Sequence, residues 1–260
     1  CEDIWFSHSS LEKRYTKEVI NDYKRKNIDY LINISASPFE IEKEDYRKTV
    51  FTSSCQNLNA GLIYLNQSGA NDELIFDGKA YVTNSNGDVI FENQAFQSDM
   101  VVFNIKKPEQ KTIEYSQLES LNKALTVGVR DYVLKSGFKK VMLGLSGGID
   151  SALVAQIASQ AVGPENVLAV MLPSRYSSIG SVKDSEKLAE NLKIEVQKIE
   201  IDSLHKSYEK TFKKVFGKNK TSDLTEQNIQ ARIRGNILMA ISNNSGRLLL
   251  NTTNKAELAM

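Results

Sequence analysis

From Leu118 onward, short apolar runs alternate with stretches of helical spacing, and this alternation constrains the fold more than any other feature. The runs at 141–145, 167–172, 194–196 with 199–201, and 248–250 read as strands. The intervals 151–162, 181–192, 203–216 and 226–243 read as helices. Leu118, Leu121, Leu125, Val129 and Val133 recur every three or four residues, which places one more amphipathic helix ahead of the first strand. Strands separated by helix-length crossovers pair in parallel, and a parallel sheet is covered by helices on both faces. The expectation for this half is an α/β, doubly wound parallel sheet.

The first half has a different texture. Residues 11–26 read as a polar helix, 30–34 as a short buried strand and 40–60 as a second helix. Strand-like runs then follow closely at 62–65, 74–76, 80–82 and 89–91, with Asp77-Gly78 and Asn86-Gly87 as turn signals between them. The apolar run at 100–105 closes this half. The polar stretch Lys106-Lys107-Pro108-Glu109-Gln110-Lys111 is the linker candidate. The expected division is a first domain at 1–105, a linker at 106–116 and a second domain at 117–260. A length of 260 residues suits two domains or parts of two.

Hydrophobic residues make up 41% of the chain and charged residues 25%, which is enough apolar material for a sizeable core. A net charge of +1 gives no strong basic field, so neither nucleic acid nor an anionic membrane is expected as a partner. No apolar run approaches the roughly 20 residues of a membrane-spanning helix. The opening Cys1-Glu2-Asp3-Ile4-Trp5 lacks the basic n-region of a signal peptide. Two cysteines, Cys1 and Cys55, make no disulfide framework, so a reducing, cytoplasmic setting is expected. The chain starts without methionine and stops at Met260 with no terminal punctuation, and both ends are expected to be cuts.

The strand at 141–145 runs into Gly144-Leu145-Ser146-Gly147-Gly148-Ile149-Asp150-Ser151, which opens the helix at 151–162. A helix N-terminus offers unpaired N–H groups and the positive end of a dipole, and paired glycines let that backbone approach an anion. Ser146 and Ser151 add hydroxyl donors. Asp150 would repel a bare phosphate, but suits one if a divalent cation bridges carboxylate and phosphate oxygens. No Gly-Lys-Ser/Thr follows, so this is not the lysine-containing phosphate loop of kinases and GTPases. A glycine-rich turn capped by Asp150 remains the other reading.

Near the end, Thr225 with Asn228 is a weak helix-cap signal, and Asn228, Arg232 and Gly235 share one helix face by spacing. Arg232 and Arg234 beside an amide could hold phosphates, or could belong to a solvated charged face. The strand at 248–250 ends at Asn251-Thr252-Thr253-Asn254-Lys255-Ala256-Glu257. Polar groups at that end of a parallel strand stand where α/β sheets bind ligands.

The word SGGIDS at 146–151 resembles the pyrophosphate loop of the ATP pyrophosphatase, or adenine-nucleotide hydrolase-like, family. Three further blocks, QNIQARIRG at 227–235, LMAISN at 238–243 and NTTNKAELA at 251–259, follow in the order of the NAD synthetase family. Thr253 stands where the family has Gly, and Ala256 where it has Ser. The resemblance implies that Gly144, Leu145, Ser146, Gly147, Gly148, Ile149, Asp150, Ser151 and Thr252 contact ATP. It implies that Asn228, Arg232 and Glu257 contact deamido-NAD, and that Asp150 and Glu257 ligate Mg2+.

Physically, Cys1 is a nucleophile if its pKa is lowered, and otherwise a small buried apolar residue. Cys1-Glu2-Asp3-Ile4-Trp5 is similar to the nucleophile turn of nitrilase-like amidases, and NISASPF at 33–39 and DELIFDG at 72–78 resemble the glutaminase domain of glutamine-dependent NAD synthetases. That implies the C-terminal half of an αββα sandwich, with Cys1 catalytic and with Ser37 and Lys43 holding glutamine. The family often has Arg at the position of Lys43, and a single ammonium pairs with a carboxylate without a planar fork. The family's glutamate base and lysine precede its cysteine, so the chain is expected to lack them and to be inactive alone. Cys55 is expected to be structural, and His8 and His205 to lie on the surface without catalytic roles.

The function implied is glutamine-dependent NAD synthesis, by a carbon–nitrogen ligase that takes glutamine, ATP, deamido-NAD and Mg2+ and forms a homo-oligomer when intact. A GMP or asparagine synthetase, or a non-catalytic nucleotide-binding module, are the alternatives.

Overall fold

The computed structural model describes residues 4–5, 19–102, 104–106, 115–216 and 223–258. Two compact units divide it, Cys1–Asp131 and Tyr132–Met260. The division falls inside the helix expected to open the second domain. The greater part of the expected linker, 107–114, lies outside the described residues.

In the first unit, α1 (Ile20–Lys24) precedes β1 (Tyr30–Ser35), α2 (Lys43–Leu58), β2 (Gly61–Asn66), β3 (Ser68–Asn71), β4 (Leu74–Asp77), β5 (Ala80–Thr83) and β6 (Val89–Glu92). The main sheet has the order β1-β2-β5-β6, parallel at β1/β2 and antiparallel elsewhere. The β1/β2 register sets Tyr30 opposite Gly61 and Ser35 opposite Asn66. Val50, Phe51, Cys55 and Leu58 of α2 pack with Leu62, Tyr64 and Tyr81 of the sheet to form the core.

The expected strand at 30–34 is present, but its burial is the reverse of the reading. Ile32 and Ile34 are 63% and 74% exposed, whereas Asn33 and Ser35 are buried. A strand alternates its side chains, so this run presents its apolar set to the face opposite the core. The β3–β4 hairpin was not anticipated at β3, because Ser68-Gly69-Ala70-Asn71 buries only Ala70. The segment closing this half, 100–102, carries no strand, and Met100 and Val102 are exposed.

Helix α3 (Gln117–Lys135) leads towards the second unit's β7 (Val141–Gly144), α4 (Ile149–Val162), β8 (Val167–Met171), α5 (Ile179–Leu192), β9 (Glu195–Lys198), α6 (Asp202–Phe216), α7 (Asp223–Ser245), β10 (Leu248–Leu250) and α8 (Lys255–Leu258). The sheet order is β10-β7-β8-β9 and every pair is parallel, as expected. Helices α4 and α5 contact each other and the strands β7, β8 and β9, while α6 packs on α7, which contacts β7 and β10. Met142, Leu168 and Val170 pack with Ile233 of α7. On the edge, β9 forms one charged, exposed strand rather than two apolar pieces; Glu195 and Lys198 keep that edge from pairing further. Among the described residues no helix is long and apolar enough to cross a membrane.

Candidate functional site

The chain reverses its direction across the second sheet between β7 and β10, since β8 and β9 extend from one side of β7 and β10 returns to the other. Such a switch point leaves a crevice at the C-terminal strand ends. A cavity of about 350 Å³ lies there. Gly144, Leu145 and Ser146 line it after β7, Leu172 and Pro173 after β8, and Thr252 after β10.

The loop at the cavity is fixed by its own hydrogen bonds. The N–H of Leu145 donates to the carbonyl of Val170 at 2.9 Å, extending the β7/β8 ladder by one residue. The chain then turns through Gly147, whose φ of +84° is left-handed. A Cβ there would sit 2.4 Å from the carbonyl oxygen of Ser181, so this position requires glycine on two counts. The Ser151 hydroxyl donates to the carbonyl of Gly148 at 3.0 Å and lies 3.1 Å from the Ser146 hydroxyl. Gly148 is the N-cap of α4 and supplies no side-chain cap. The first turn of α4 therefore presents its N–H groups without a side-chain acceptor on them, the arrangement that receives an anion.

The reading of Asp150 as a helix cap is overturned. Asp150 is the second residue of α4, two positions past the N-cap Gly148, and is exposed. Its Oδ2 instead accepts from the Asn254 side-chain amide at 3.4 Å. Asn254 and Glu257 form a reciprocal capping box at α8. The N–H of Glu257 donates to Asn254 Oδ1 at 3.0 Å, and the N–H of Asn254 donates to Glu257 Oε2 at 3.3 Å. One residue thus touches both carboxylates expected to hold a cation. Among the described residues no three His, Cys, Asp or Glu side chains converge on one point. Two exposed carboxylates form an oxygen-only set of the kind a hard cation takes when phosphate oxygens or water complete its shell. Thr253, in the place of an expected Gly, has no positive φ, and its Oγ1 donates to Asn251 Oδ1 at 2.7 Å. The turn therefore needs no glycine here.

Thr225 does not start its helix, because α7 already begins at Asp223. Asn228 and Arg232 do share a face: the Arg232 guanidinium donates to the Asn228 carbonyl at 3.1 Å and to its Oδ1 at 3.2 Å. Both are exposed, and neither lines the cavity. The arginine that does line it is Arg234, whose Nε donates to the carbonyl of Leu172 at 3.1 Å. Burial lowers the Arg234 pKa. Spacing alone could not choose between the two arginines. Ser177, Ser181 and Ser185 also line the cavity and were not singled out from the sequence. The available signal was the pair Ser178 and Ser181, since Ser178 caps α5 by accepting from the N–H of Ser181 at 3.0 Å.

His205, expected on the surface, is 1% exposed. Its Nδ1 lies 3.0 Å from the Arg175 guanidinium, and Tyr176 stacks edge-on against its ring. The Arg175 pKa is raised, first by its hydrogen bond to Glu209. These contacts tie the segment after β8 to α6. His8 lies outside the described residues.

In the first unit, Cys1 lies outside the described residues. Ser37 is half-buried after β1, and Lys43 opens α2 with its ammonium donating to the carbonyl of Pro38 at 3.0 Å and to Glu40 at 2.8 Å. Cys55 is buried beside the Thr83 hydroxyl at 3.1 Å, and burial pushes its thiol pKa up. It is structural, as expected.

A sequence model of the NAD synthase family matches residues 121–260. The chain is 41% identical to the glutamine-dependent NAD(+) synthetase of Synechocystis sp., covering 100% of this chain and 48% of that protein. It is 36% identical to the glutamine-dependent NAD(+) synthetase of Thermotoga maritima, covering 100% of this chain and 50% of that one. A solved structure of glutamine-dependent NAD+ synthetase from Acinetobacter baumannii in complex with adenosine diphosphate matches with a TM-score of 0.88 at 37% identity, over 100% of this chain and 48% of that chain. The chain spans about half the length of the curated relatives it matches.

Proposed function

Because the chain belongs to the NAD synthase family, we propose that it is part of a ligase that makes NAD from deamido-NAD, ATP and glutamine. The observation that carries this reading is the Gly144–Ser151 loop, whose residues Gly144, Leu145 and Ser146 line a cavity at the switch point of a parallel sheet, within the region matched by the family. The glutamine-dependent synthetases of Synechocystis and Thermotoga support the nitrogen source, and the ADP held by the Acinetobacter baumannii protein supports an adenine nucleotide. The family match sets GMP and asparagine synthetases aside.

In the synthetase half, the backbone N–H groups of 146–151, the hydroxyls of Ser146 and Ser151, and Thr252 bind the ATP phosphates. The nicotinate carboxylate of deamido-NAD attacks the α-phosphorus, and pyrophosphate leaves. Ammonia then displaces AMP from the mixed anhydride to give the amide. Asn228, Arg232 and Glu257 hold deamido-NAD. Asp150 and Glu257 would hold Mg2+, which when bound neutralises phosphate charge. In the first unit, a C-terminal half of a nitrilase-like αββα sandwich, Cys1 attacks the side-chain amide of glutamine. Ammonia leaves, and water hydrolyses the thioester to glutamate. Ser37 and Lys43 hold the amino-acid end of the glutamine. The setting proposed is cytoplasmic, with a homo-oligomeric assembly.

The test supplies the intact protein with ATP, Mg2+, deamido-NAD and either glutamine or ammonium. The expected result is NAD, AMP and pyrophosphate in equal amounts from both nitrogen sources, with one glutamate per NAD from glutamine. ADP as the product, or NAD formation that glutamine does not support, would overturn the proposal.

A further inference from the structure

Ser37 sits in a turn between β1 and α2, and one side chain holds its whole peptide frame. Asn66, at the end of β2, accepts from the N–H of Ser37 through Oδ1 at 2.8 Å. Its Nδ2 donates back to the carbonyl of Ser37 at 2.9 Å. Both backbone groups of Ser37 are engaged by this single amide, which fixes the direction in which its side chain leaves the chain.

Asn66 is itself fixed from behind. Its Nδ2 also donates to Asp77 Oδ1 at 2.7 Å. The other oxygen of Asp77 takes the Arg47 guanidinium at 2.8 Å, and Arg47 is 1% exposed over the ring of Tyr64. Asp77 Oδ1 takes the N–H of Lys79 as well, at 3.1 Å. The backbone N–H of Asn66 donates to the carbonyl of Lys79 at 3.0 Å. The acceptor-only carboxylate forces the amide orientation: Nδ2 must face Asp77, which leaves Oδ1 for the N–H of Ser37. A buried, charge-assisted network therefore ends in a two-point grip on Ser37.

The geometry points to Asn66 as the positioning residue that sets Ser37 for the amino-acid end of glutamine, with Arg47 and Asp77 as its backing. This rests on the proposed role of Ser37. Lys43 secures the next carbonyl, that of Pro38, so the serine and the cation that would meet the substrate's carboxylate are fixed to one turn. Loss of the grip frees that turn and weakens glutamine binding without touching the bond that breaks.

The experiment measures glutaminase KM and kcat in the intact protein with Asn66→Ala, Asn66→Gln and Ser37→Ala, together with thermal melts. KM is independent of the fraction of folded enzyme, so instability alone moves the maximum rate but not KM. Both Asn66 variants are expected to raise KM for glutamine at least about tenfold, the scale of one or two lost hydrogen bonds, with a smaller change in kcat. Asn66→Gln keeps a donor and an acceptor but displaces them by one methylene, so it carries the test if the alanine variant does not fold. A lowered melting temperature with unchanged KM in the Asn66 variants, or failure of both to fold, would mark Asn66 as framework and overturn the inference. An unchanged KM in Ser37→Ala alone would instead overturn the role given to Ser37.

Discussion

Asn254 lies with its side-chain amide 3.4 Å from the carboxylate of Asp150, joining the strand-end turn after β10 to the first turn of α4. The same Asn254 forms the capping box with Glu257, so the two carboxylates proposed to hold Mg2+ are organised around one residue. Because Gly148 rather than Asp150 is the N-cap, Asp150→Asn removes charge without removing a cap. The helix-dipole contribution of a first-turn carboxylate is about 0.3–1 kcal/mol, so stability should change by no more than roughly 1 kcal/mol. Pyrophosphate release should fall at least about 100-fold, comparable to losing one transition-state electrostatic group. A thermal melt and a pyrophosphate assay with ammonium as nitrogen donor check both halves. Near-normal NAD formation would remove Asp150 from the cation site.

The two neighbouring glycines of the loop should respond differently to alanine. At Gly147 the left-handed φ of +84° and a Cβ position 2.4 Å from the Ser181 carbonyl oxygen act together. The strain is about 1–2 kcal/mol for the backbone, with a further 1–3 kcal/mol for overpacking, so Gly147→Ala should lose at least about 2 kcal/mol. At Gly148 the φ is −86° and the Cβ would meet only Ser146 Oγ, at 3.4 Å. Gly148→Ala should stay within about 1 kcal/mol of the parent, the scale of a cap effect. Urea midpoints of the two variants give the comparison, and equal losses would refute the argument from Gly147.

How far the sequence went follows from what period and motif can encode. The parallel sheet was legible because strands such as Val167–Met171 are buried on both faces and read as unbroken apolar runs. The loop was legible because paired glycines between a strand and a helix mark a turn, and Gly147 does take the left-handed φ that glycine permits. The cap reading of Asp150 stayed open beside the cation reading on residues alone, because the register of a helix start depends on whether Gly148 or Asp150 has extended backbone, which composition does not encode. Arg234 rather than Arg232 reaches the cavity because α7 is turned by the packing of Ile233 into the sheet, a tertiary fact. His205 was misplaced for a related reason. Its sequence neighbours Leu204 and Lys206 do not mark it as buried, and Arg175 and Tyr176, some thirty residues earlier, cover it. The role of Asn66 was equally hidden, since its partners Ser37 and Asp77 meet it only through the β1/β2 pairing and the β4 end.

The charged cluster behind the first sheet gives a pH prediction. Lys79 Nζ lies 2.7 Å from Glu44 and also pairs with buried Glu92, while Lys48 lies 3.1 Å from Glu44. Burial raises the Glu44 pKa, but the hydrogen bond and charge of Lys79, with Lys48, outweigh it and the net shift is downward. A depressed native pKa means that Glu44 contributes stability above the unfolded value of about 4.3 and loses it as the pH falls through the native value. Glu92 runs the other way, because burial raises its pKa and Lys79 only partly offsets this. Glu44→Gln should therefore lower the melting temperature at neutral pH, with the gap to the parent narrowing towards acid. A gap that stays constant from neutral pH to below the carboxylate range would refute the linkage.

The two cysteines should separate cleanly by chemistry. Cys55 is 1% exposed within the core of the first unit, packed with Phe51, Leu58 and Tyr64. Burial raises its thiol pKa, with the Thr83 hydroxyl at 3.1 Å opposing that shift only in part. The thiolate is the reactive form, so a buried thiol with a raised pKa is nearly inert to alkylation in the native state. Cys1, proposed as the glutaminase nucleophile, requires the opposite: access and an activated sulfur. Mild treatment of the intact native protein with iodoacetamide should label Cys1 and leave Cys55 unmodified by peptide mass mapping. Glutamine-supported NAD formation should fall in step with Cys1 labelling, while ammonium-supported formation persists. Labelling of Cys55 before Cys1, or loss of both activities together, would mean that the thiol chemistry is not divided between the two positions in this way.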